Sequence, residues 1–160
     1  MSELEIGKIA AKKAGAVIKQ YYKANYEIKE KGYKNPVTTA DFEADKIIKD
    51  TLMSSFPSYG WLSEETLDSS ERLSKEKVWV VDPLDGTKEF IEGIPNFAVS
   101  IALVINGVPI IGIIYNPILE ELFYAKKSNG AFLGEKKIHC VAEIDTEDMI
   151  ILNSRSETKR

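Results

Sequence analysis

The chain has 160 residues, of which 44% are apolar, and this length and composition suit one domain with a real hydrophobic core. A net charge of −4 argues against nucleic acid polymers as the main partner, because a phosphate backbone requires a basic face. The single cysteine, Cys140, excludes an internal disulfide framework and is expected to be a buried structural thiol, and the single histidine, His139, is also interpreted as structural. The start of the chain shows no signal-peptide pattern, and its most apolar region, residues 97–115, is broken by Asn106-Gly107 and Pro109. We therefore expect a cytoplasmic protein without a membrane span.

Hydrophobic periodicity predicts two N-terminal helices followed by a run of short strands. In the first third of the chain, apolar residues recur at helical spacing, and lysines occupy much of the opposite face. The strands after residue 97 are joined by tight turns, and Asn106-Gly107 is a strong hairpin signal. The predicted fold class is therefore α+β, an antiparallel sheet with two long helices packed on one face. In chain order, the predicted elements are a helix over 3–23, a strand over 26–30, a polar loop over 31–36, a helix from 38–41 to about 56, a strand over 59–63, a helix or loop over 67–77, a strand over 78–81, a short helix over 87–91, and strands over 98–105, 108–115, 121–126, 130–133 and 150–152.

The most informative stretch is Val78 to Phe90, which reads Val-Trp-Val-Val-Asp-Pro-Leu-Asp-Gly-Thr-Lys-Glu-Phe. Its apolar start predicts a short buried strand that stops at Pro83, since proline has no N–H to donate to a sheet. Asp85-Gly86 then turns the chain, and between two apolar runs this pair also fits a plain hairpin. A hairpin does not account for Asp82 at the strand end or for Thr87 after the glycine.

This turn places several oxygen ligands close together. The carboxylates of Asp82 and Asp85 and the carbonyl of Leu84 can converge on one small hard cation, and Mg²⁺ prefers such oxygen ligands. The amides of Gly86 and Thr87 would point out of the start of a short helix, where an anion is favoured. A cation and a phosphate group would therefore meet at this turn.

Further acids precede the turn. Glu64-Glu65 follows a predicted strand, and Glu64 can supply a cation ligand that the turn lacks. Asp41 begins the second helix with Asp45 on the same face, and a hydrogen bond from the Thr87 hydroxyl to Asp41 would let that pair hold and activate a water. Plain alternatives stay open, because Asp41 also suits the helix dipole and paired glutamates are usually just solvated. Oxygen ligands without a histidine or cysteine cluster favour magnesium over zinc, and two magnesium ions can polarise a phosphate and activate a water.

Three motifs resemble those of the lithium-sensitive, magnesium-dependent phosphomonoesterases, a family that includes inositol monophosphatases, fructose-1,6-bisphosphatases and 3′(2′),5′-bisphosphate nucleotidases. They are Asp41 after Pro-Val-Thr-Thr-Ala, then Ser63-Glu64-Glu65, then Trp79 to Thr87. The resemblance extends from the first helix to about Arg155. It implies that residues 1–160 form an N-terminal catalytic α+β domain, the first half of an αβαβα layered phosphatase fold. The C-terminal half is expected to be absent, because the sequence lacks the Trp-Asp motif of that half.

The resemblance also implies a role for each motif residue, with a small-molecule phosphate monoester as the substrate. Two or three magnesium ions would occupy the complete site, beside an attacking water. An exposed apolar sheet edge would favour homo-oligomers. The implied assignments are Glu64, Asp82 and the Leu84 carbonyl to the first magnesium, Asp82 and Asp85 to the second, Asp41 and Thr87 to the catalytic water, and Glu64, Leu84, Asp85, Gly86 and Thr87 to the substrate.

The residues after Thr87 suggest a subgroup. Lys88-Glu89-Phe90, with Ser154-Arg155-Ser156 near the end of the sequence, is similar to the bacterial 3′(2′),5′-bisphosphate nucleotidases of the CysQ type. This resemblance implies hydrolysis of the 3′-phosphate of 3′-phosphoadenosine 5′-phosphate, a by-product of sulfate assimilation. Lys88 would then either bind the second phosphate or be a solvated lysine. The alternatives are an inositol monophosphatase-like sugar phosphatase, and an inactive, truncated domain that binds magnesium or phosphate.

Overall fold

The computed structural model describes residues 1–32 and 35–140, so the strand predicted over 150–152 lies outside the described residues. Within them, the two long helices precede the strands of the main sheet, which confirms the predicted α+β class. The elements are α1 (Glu3–Tyr21), β1 (Ile28–Gly32), β2 (Asn35–Thr38), α2 (Thr39–Ser55), β3 (Gly60–Ser63), a 3-10 helix (Ser70–Ser74), β4 (Lys77–Asp85), α3 (Thr87–Ile91), β5 (Ala98–Ile105), β6 (Val108–Asn116), β7 (Glu121–Lys126), β8 (Gly130–Leu133) and β9 (Lys136–Ile138).

Strands β3 to β9 form one mixed sheet in sequence order, and β1 and β2 form a separate hairpin. In the sheet, β3 and β4 are parallel, and the other neighbouring pairs are antiparallel. The parallel pair departs from the wholly antiparallel sheet that the sequence predicted. It forms because residues 64–76, which include the 3-10 helix, are long enough to return the chain to the end at which β3 began. As a result, β3 and β4 both end at the same edge of the sheet.

The two long helices pack on one face of the sheet, as predicted. Helix α1 contacts β5 and β6, and α2 contacts α1 and β4. Gly7 lets α1 approach the sheet closely, because a Cβ atom there would lie 2.5 Å from the Cδ1 atom of Ile113. Burial of large apolar side chains between these layers supplies most of the favourable free energy of folding. The largest fully buried apolar side chains are Trp79, Phe90, Ile18, Ile48, Leu52, Leu84, Ile101, Leu103, Ile113, Val37 and Val99.

Strand β4 continues through Pro83 to Asp85, whereas the sequence predicted an end at the proline. Asp82 pairs with Ser100 and Asp85 pairs with Ala98, so the register shifts between the two aspartates. Such a bulge leaves the residues inside it outside the regular ladder, and Pro83 therefore need not donate a hydrogen bond. The bulge also changes the direction of the chain just where the two aspartates lie.

Some smaller features differ from the expectations. Strand β1 overlaps the strand predicted over 26–30 but begins and ends two residues later. Its pairing with β2 replaces the predicted polar loop, which the sequence did not reveal because every residue of β1 is exposed. Strand β9 was not predicted, for the same reason, because its side chains lie largely in solvent at the end of the sheet. Cys140, expected to be buried, is exposed, because it follows this last strand and lies beyond the core.

Candidate active site

The chain brings three acidic segments to one edge of the sheet. Because β3 and β4 are parallel, with Ser63 beside Val81, the residues that follow each strand are neighbours. Glu64 is held there by a hydrogen bond from its N–H to the Val81 carbonyl (3.2 Å). Helix α2 begins nearby with a capping box, in which the side chains of Thr38 and Asp41 accept hydrogen bonds from backbone N–H groups of the first turn.

An open depression of about 200 Å³ lies at this edge. Asp41 does not line it, since that residue is only 1% exposed and reaches the depression through the Thr87 hydroxyl. Pro36, Lys88 and Glu89 form one part of the lining. The rest of the lining is the set of residues that the sequence assigned to metal and substrate, namely Glu64, Asp82, Leu84, Asp85, Gly86 and Thr87.

The hydrogen bond predicted between Thr87 and Asp41 is present. The Thr87 hydroxyl lies 3.0 Å from Asp41 Oδ1 and 3.1 Å from the Leu84 carbonyl oxygen, and it can donate to either. The other carboxylate oxygen, Oδ2, accepts from the N–H (2.8 Å) and the hydroxyl (2.6 Å) of Thr38. Burial raises the pKa of Asp41, and the hydrogen bonds from Thr38 and Thr87 oppose that rise. Asp41 therefore caps α2 with one oxygen and pairs with Thr87 through the other, so its capping role is compatible with the predicted role in holding a water.

Asp82 lies among other carboxylates. Its Oδ1 accepts a hydrogen bond from the Leu84 N–H (3.2 Å). Burial, together with the negative charges of Glu64 and Asp85, raises the pKa of Asp82 from 3.8 to about 7. Like charges at close range disfavour a second ionised carboxylate, so Asp82 keeps a proton up to near-neutral pH unless a cation takes its place.

These residues fit a hard divalent cation. The lining offers carboxylate and carbonyl oxygens without histidine or cysteine, which is the donor set of magnesium rather than zinc. Glu64 lies close enough to Asp82 to raise the pKa of that carboxyl, so the two acids belong to one cluster. Among the described residues, no three histidine, cysteine or acidic side chains form a finished coordination set. A cation bound beside Asp82 would have to displace the proton that its raised pKa favours, and its positive charge would relieve the repulsion from Glu64 and Asp85.

Lys31 is a site neighbour that the sequence did not reveal. From β1, its Nζ atom lies 2.5 Å from Glu65 Oε1 and 3.4 Å from Glu64 Oε1. The Glu65 side chain is 3% exposed, and burial raises its pKa against the opposing effect of Lys31. The Oε2 atom of Glu65 is buried and has no hydrogen-bond partner among the residues the structure describes. Since the lysine and the glutamates are far apart in sequence, no local pattern links them.

The turn after Asp85 is the start of a helix, so the hairpin alternative is wrong. Gly86 has a φ of 96° and directly precedes α3, the short helix predicted over 87–91. A Cβ atom at Gly86 would lie 2.8 Å from the Asn96 carbonyl oxygen. Both the left-handed backbone and the close approach therefore require glycine at this position.

Known proteins show the same combination of fold and sequence. Residues 2–160 match the Inositol monophosphatase family. The chain is 41% identical to inositol monophosphatase 2 of Solanum lycopersicum, over 84% of this chain and 52% of that protein. The crystal structure of the extragenic suppressor protein suhB from Bartonella henselae has a TM-score of 0.81 at 38% identity, over 87% of this chain and 54% of that one. SaIMPase-II with bound inositol monophosphate has a TM-score of 0.74 at 30% identity, over 91% of this chain and 52% of that one. The same protein with bound 2′-AMP has a TM-score of 0.72 at 31% identity, over 88% of this chain and 50% of that one.

The chain therefore belongs to the inositol monophosphatase family, as its three motifs indicated. It spans about half the length of the curated relatives it matches. The names of these relatives fit the inositol monophosphatase alternative better than the bisphosphate nucleotidase subgroup suggested by Lys88-Glu89. None of the helices that the structure describes is long and apolar enough to cross a membrane.

Proposed function

We propose that this chain forms the cation- and phosphate-binding part of a magnesium-dependent phosphomonoesterase that acts on inositol monophosphate. The observation that carries the proposal is that the carboxylates around Asp82 and the pair of Asp41 and Thr87 meet at one depression. The first group suits a cation and the second suits a water, and hydrolysis of a phosphate ester needs both in one place. Because the chain spans about half the length of its relatives, the activity of the whole protein is part of this proposal.

On the cation side, Glu64, Asp82 and the Leu84 carbonyl would hold one magnesium ion, and Asp82 and Asp85 would share a second. The support is electrostatic, since Glu64 and Asp85 both raise the pKa of Asp82 and so lie close to it. These residues would hold magnesium beside the phosphate, where the ion would supply the positive charge that polarises the phosphate and offsets the negative charge developing during hydrolysis. The backbone from Leu84 to Thr87 would orient the phosphate group.

On the water side, the Thr87 hydroxyl donates to Asp41 and keeps its lone pairs available to accept from a water. The water oxygen would bond to phosphorus as the bond between phosphorus and the ester oxygen breaks. The water proton would pass to Thr87 Oγ1 and the hydroxyl proton to Asp41, and the departing alkoxide would take up a proton from solvent water. Burial raises the pKa of Asp41, which makes it a better proton acceptor than an ordinary aspartate. No covalent intermediate is needed.

A nucleoside bisphosphate is the second substrate class that a specific observation favours. Lys88 lines the depression and would place an ammonium group near a second phosphate, as in 3′-phosphoadenosine 5′-phosphate. A structural neighbour, SaIMPase-II, binds inositol monophosphate and also 2′-AMP, so a protein of this fold can bind both a cyclitol phosphate and a nucleotide. Both substrates therefore belong in the same experiment.

The test is phosphate release by the purified chain from inositol 1-phosphate and, in parallel, from 3′-phosphoadenosine 5′-phosphate. We expect magnesium-dependent release from the inositol phosphate, which Asp85→Asn abolishes. The matched control is Asp50→Asn, which removes an exposed carboxylate from α2 and should keep the wild-type rate. Release from the nucleotide alone would replace the proposed substrate. A magnesium-dependent rise in melting temperature without release from either would favour the inactive binding domain.

A further inference from the structure

Asp45 is a buried acid that the proposed reaction does not use. It lies one helical turn after Asp41 in α2, and it is 7% exposed. Its Oδ1 accepts a hydrogen bond from the Ser63 hydroxyl, and its Oδ2 accepts one from the Thr66 hydroxyl (2.6 Å). Burial of a carboxylate is unfavourable unless donors satisfy it, so these two hydroxyls define where the side chain lies.

The same two hydroxyls stand on either side of Glu64 and Glu65. Ser63 ends β3 and is buried, and its hydroxyl oxygen also accepts from the Glu65 N–H (3.3 Å). Thr66 comes directly after the second glutamate. The segment that carries both glutamates is therefore tied at its two ends to one side chain of a long helix.

We propose that Asp45 is a positioning residue, which fixes the segment 63–66 and so sets where the Glu64 carboxylate lies relative to Asp82. The role rests on the proposed function, because Glu64 is a cation ligand only there. Asp41 and Asp45 share α2, so this one helix would fix both the water side and the cation side of the depression. Groups that orient metal ligands in this way change metal affinity when they are removed.

A purely structural role for Asp45 makes a different prediction. A carboxylate that only fastened α2 to the end of β3 would change the free energy of unfolding by the same amount with and without metal. It would leave the affinity of the folded chain for magnesium unchanged. Metal affinity and local order at Glu64 therefore distinguish the two roles.

The test uses two variants of Thr66 in the 160-residue chain. Thr66→Val removes the hydroxyl and keeps the shape, whereas Thr66→Ser keeps the hydroxyl and removes a methyl group. Magnesium ion alone is titrated against the melting temperature, and hydrogen exchange of the Glu64 and Glu65 amides is followed by NMR without metal. We expect Thr66→Val to weaken the apparent magnesium affinity about tenfold and to speed amide exchange, while Thr66→Ser stays close to wild type.

Two acids of α2 provide the second comparison. Asp45→Asn should change magnesium affinity and exchange in the same direction as Thr66→Val, whereas Asp50→Asn should match wild type because that side chain is exposed. Equal magnesium affinity and equal exchange in the two Thr66 variants would overturn the positioning role. A wild-type chain that does not respond to magnesium would overturn the proposed function instead. In that case, faster exchange in Thr66→Val than in Thr66→Ser would still support the fixing of this segment, and equal exchange would refute it.

Discussion

Two aspartates that serve one depression have opposite surroundings. Asp41 is almost fully buried, yet it accepts hydrogen bonds from the N–H and hydroxyl of Thr38 and from the Thr87 hydroxyl. Asp82 is less buried, its Oδ1 accepts from the Leu84 N–H, and the carboxylates of Glu64 and Asp85 lie close to it. Burial is the main cause of a raised pKa at both acids, but hydrogen bonds oppose it at Asp41, whereas the charges of Glu64 and Asp85 add to it at Asp82.

This difference separates a prearranged part of the site from a part that awaits a ligand. The region around Asp41 needs no ligand to be ordered, because hydrogen-bond donors of the folded chain already contact both carboxylate oxygens. The region around Asp82 brings three carboxylates close together, and a proton or a bound cation would offset their repulsion. If the two regions have these separate roles, a variant of Asp82 should lose the stabilisation by magnesium, whereas a variant of Asp41 should keep it.

The largest expected effect is the loss of the magnesium response in Asp82→Asn. In the wild type, free magnesium at about 100 times its dissociation constant should stabilise the fold by about 2.7 kcal/mol. Removing the central carboxylate should reduce that increment below about 0.5 kcal/mol, since a roughly hundredfold weaker site is then only half filled. Without metal, the variant should be at least as stable as wild type near pH 8, because the repulsion is gone. Urea unfolding with and without magnesium measures both quantities.

The control for this variant is Asp50→Asn, which removes one negative charge from an exposed position. It should keep the full magnesium increment. A normal increment in Asp82→Asn would show that the cation binds elsewhere, and the division of the site into two regions would then be wrong.

The next expected effect is a pH dependence that comes from Asp82. Between its ordinary pKa of 3.8 and its raised pKa of about 7, the folded chain holds a proton that the unfolded chain has lost. The folded state then binds more protons, so the free energy of unfolding without metal should fall as the pH rises through this window. Magnesium competes with that proton, and its apparent affinity should therefore rise about tenfold per pH unit until about pH 7, then level off.

Comparison with Asp82→Asn isolates this contribution, because burial also raises the pKa values of Asp41 and Glu65. Urea unfolding without metal should show a weaker dependence on pH in the variant than in the wild type. A wild-type magnesium affinity that is flat between about pH 5 and pH 7 would contradict the proton competition.

The sequence allowed the prediction of features that depend on local chemistry. The end of an apolar run marked the acids of β4, and the short helix α3 was predicted with its observed bounds. The pairing of Thr87 with Asp41 was also predicted, although these residues lie far apart in the chain. In each case the residue type is unusual for its position unless it has a specific role, as with an acid at the end of a buried strand.

Three other features that depend on distant partners could not be predicted. Nothing local to β3 indicates that it runs parallel to β4, yet that pairing is what brings Glu64 to Asp82. Every residue of β1 is exposed, so nothing in its sequence indicates a distant partner, and the approach of Lys31 to the glutamates could not be predicted. The contacts of Asp45 link α2 to a segment beyond β3, and they too arise only from the tertiary fold.

The smallest of these effects is the stability loss expected for Asp41→Asn, and it completes the comparison with Asp82. Asparagine offers one acceptor oxygen where Asp41 uses two, so either the Thr38 cap or the bond from Thr87 must be lost. We expect the free energy of unfolding to fall by about 1 to 2 kcal/mol, equally with and without magnesium. Urea unfolding under both conditions, with Thr87→Ser as a variant that keeps the hydroxyl, measures this. The magnesium increment should survive in Asp41→Asn, because the carboxylates around Asp82 are intact. If the magnesium increment disappeared in Asp41→Asn, Asp41 would belong with the cation ligands, and its role could no longer be limited to holding the water.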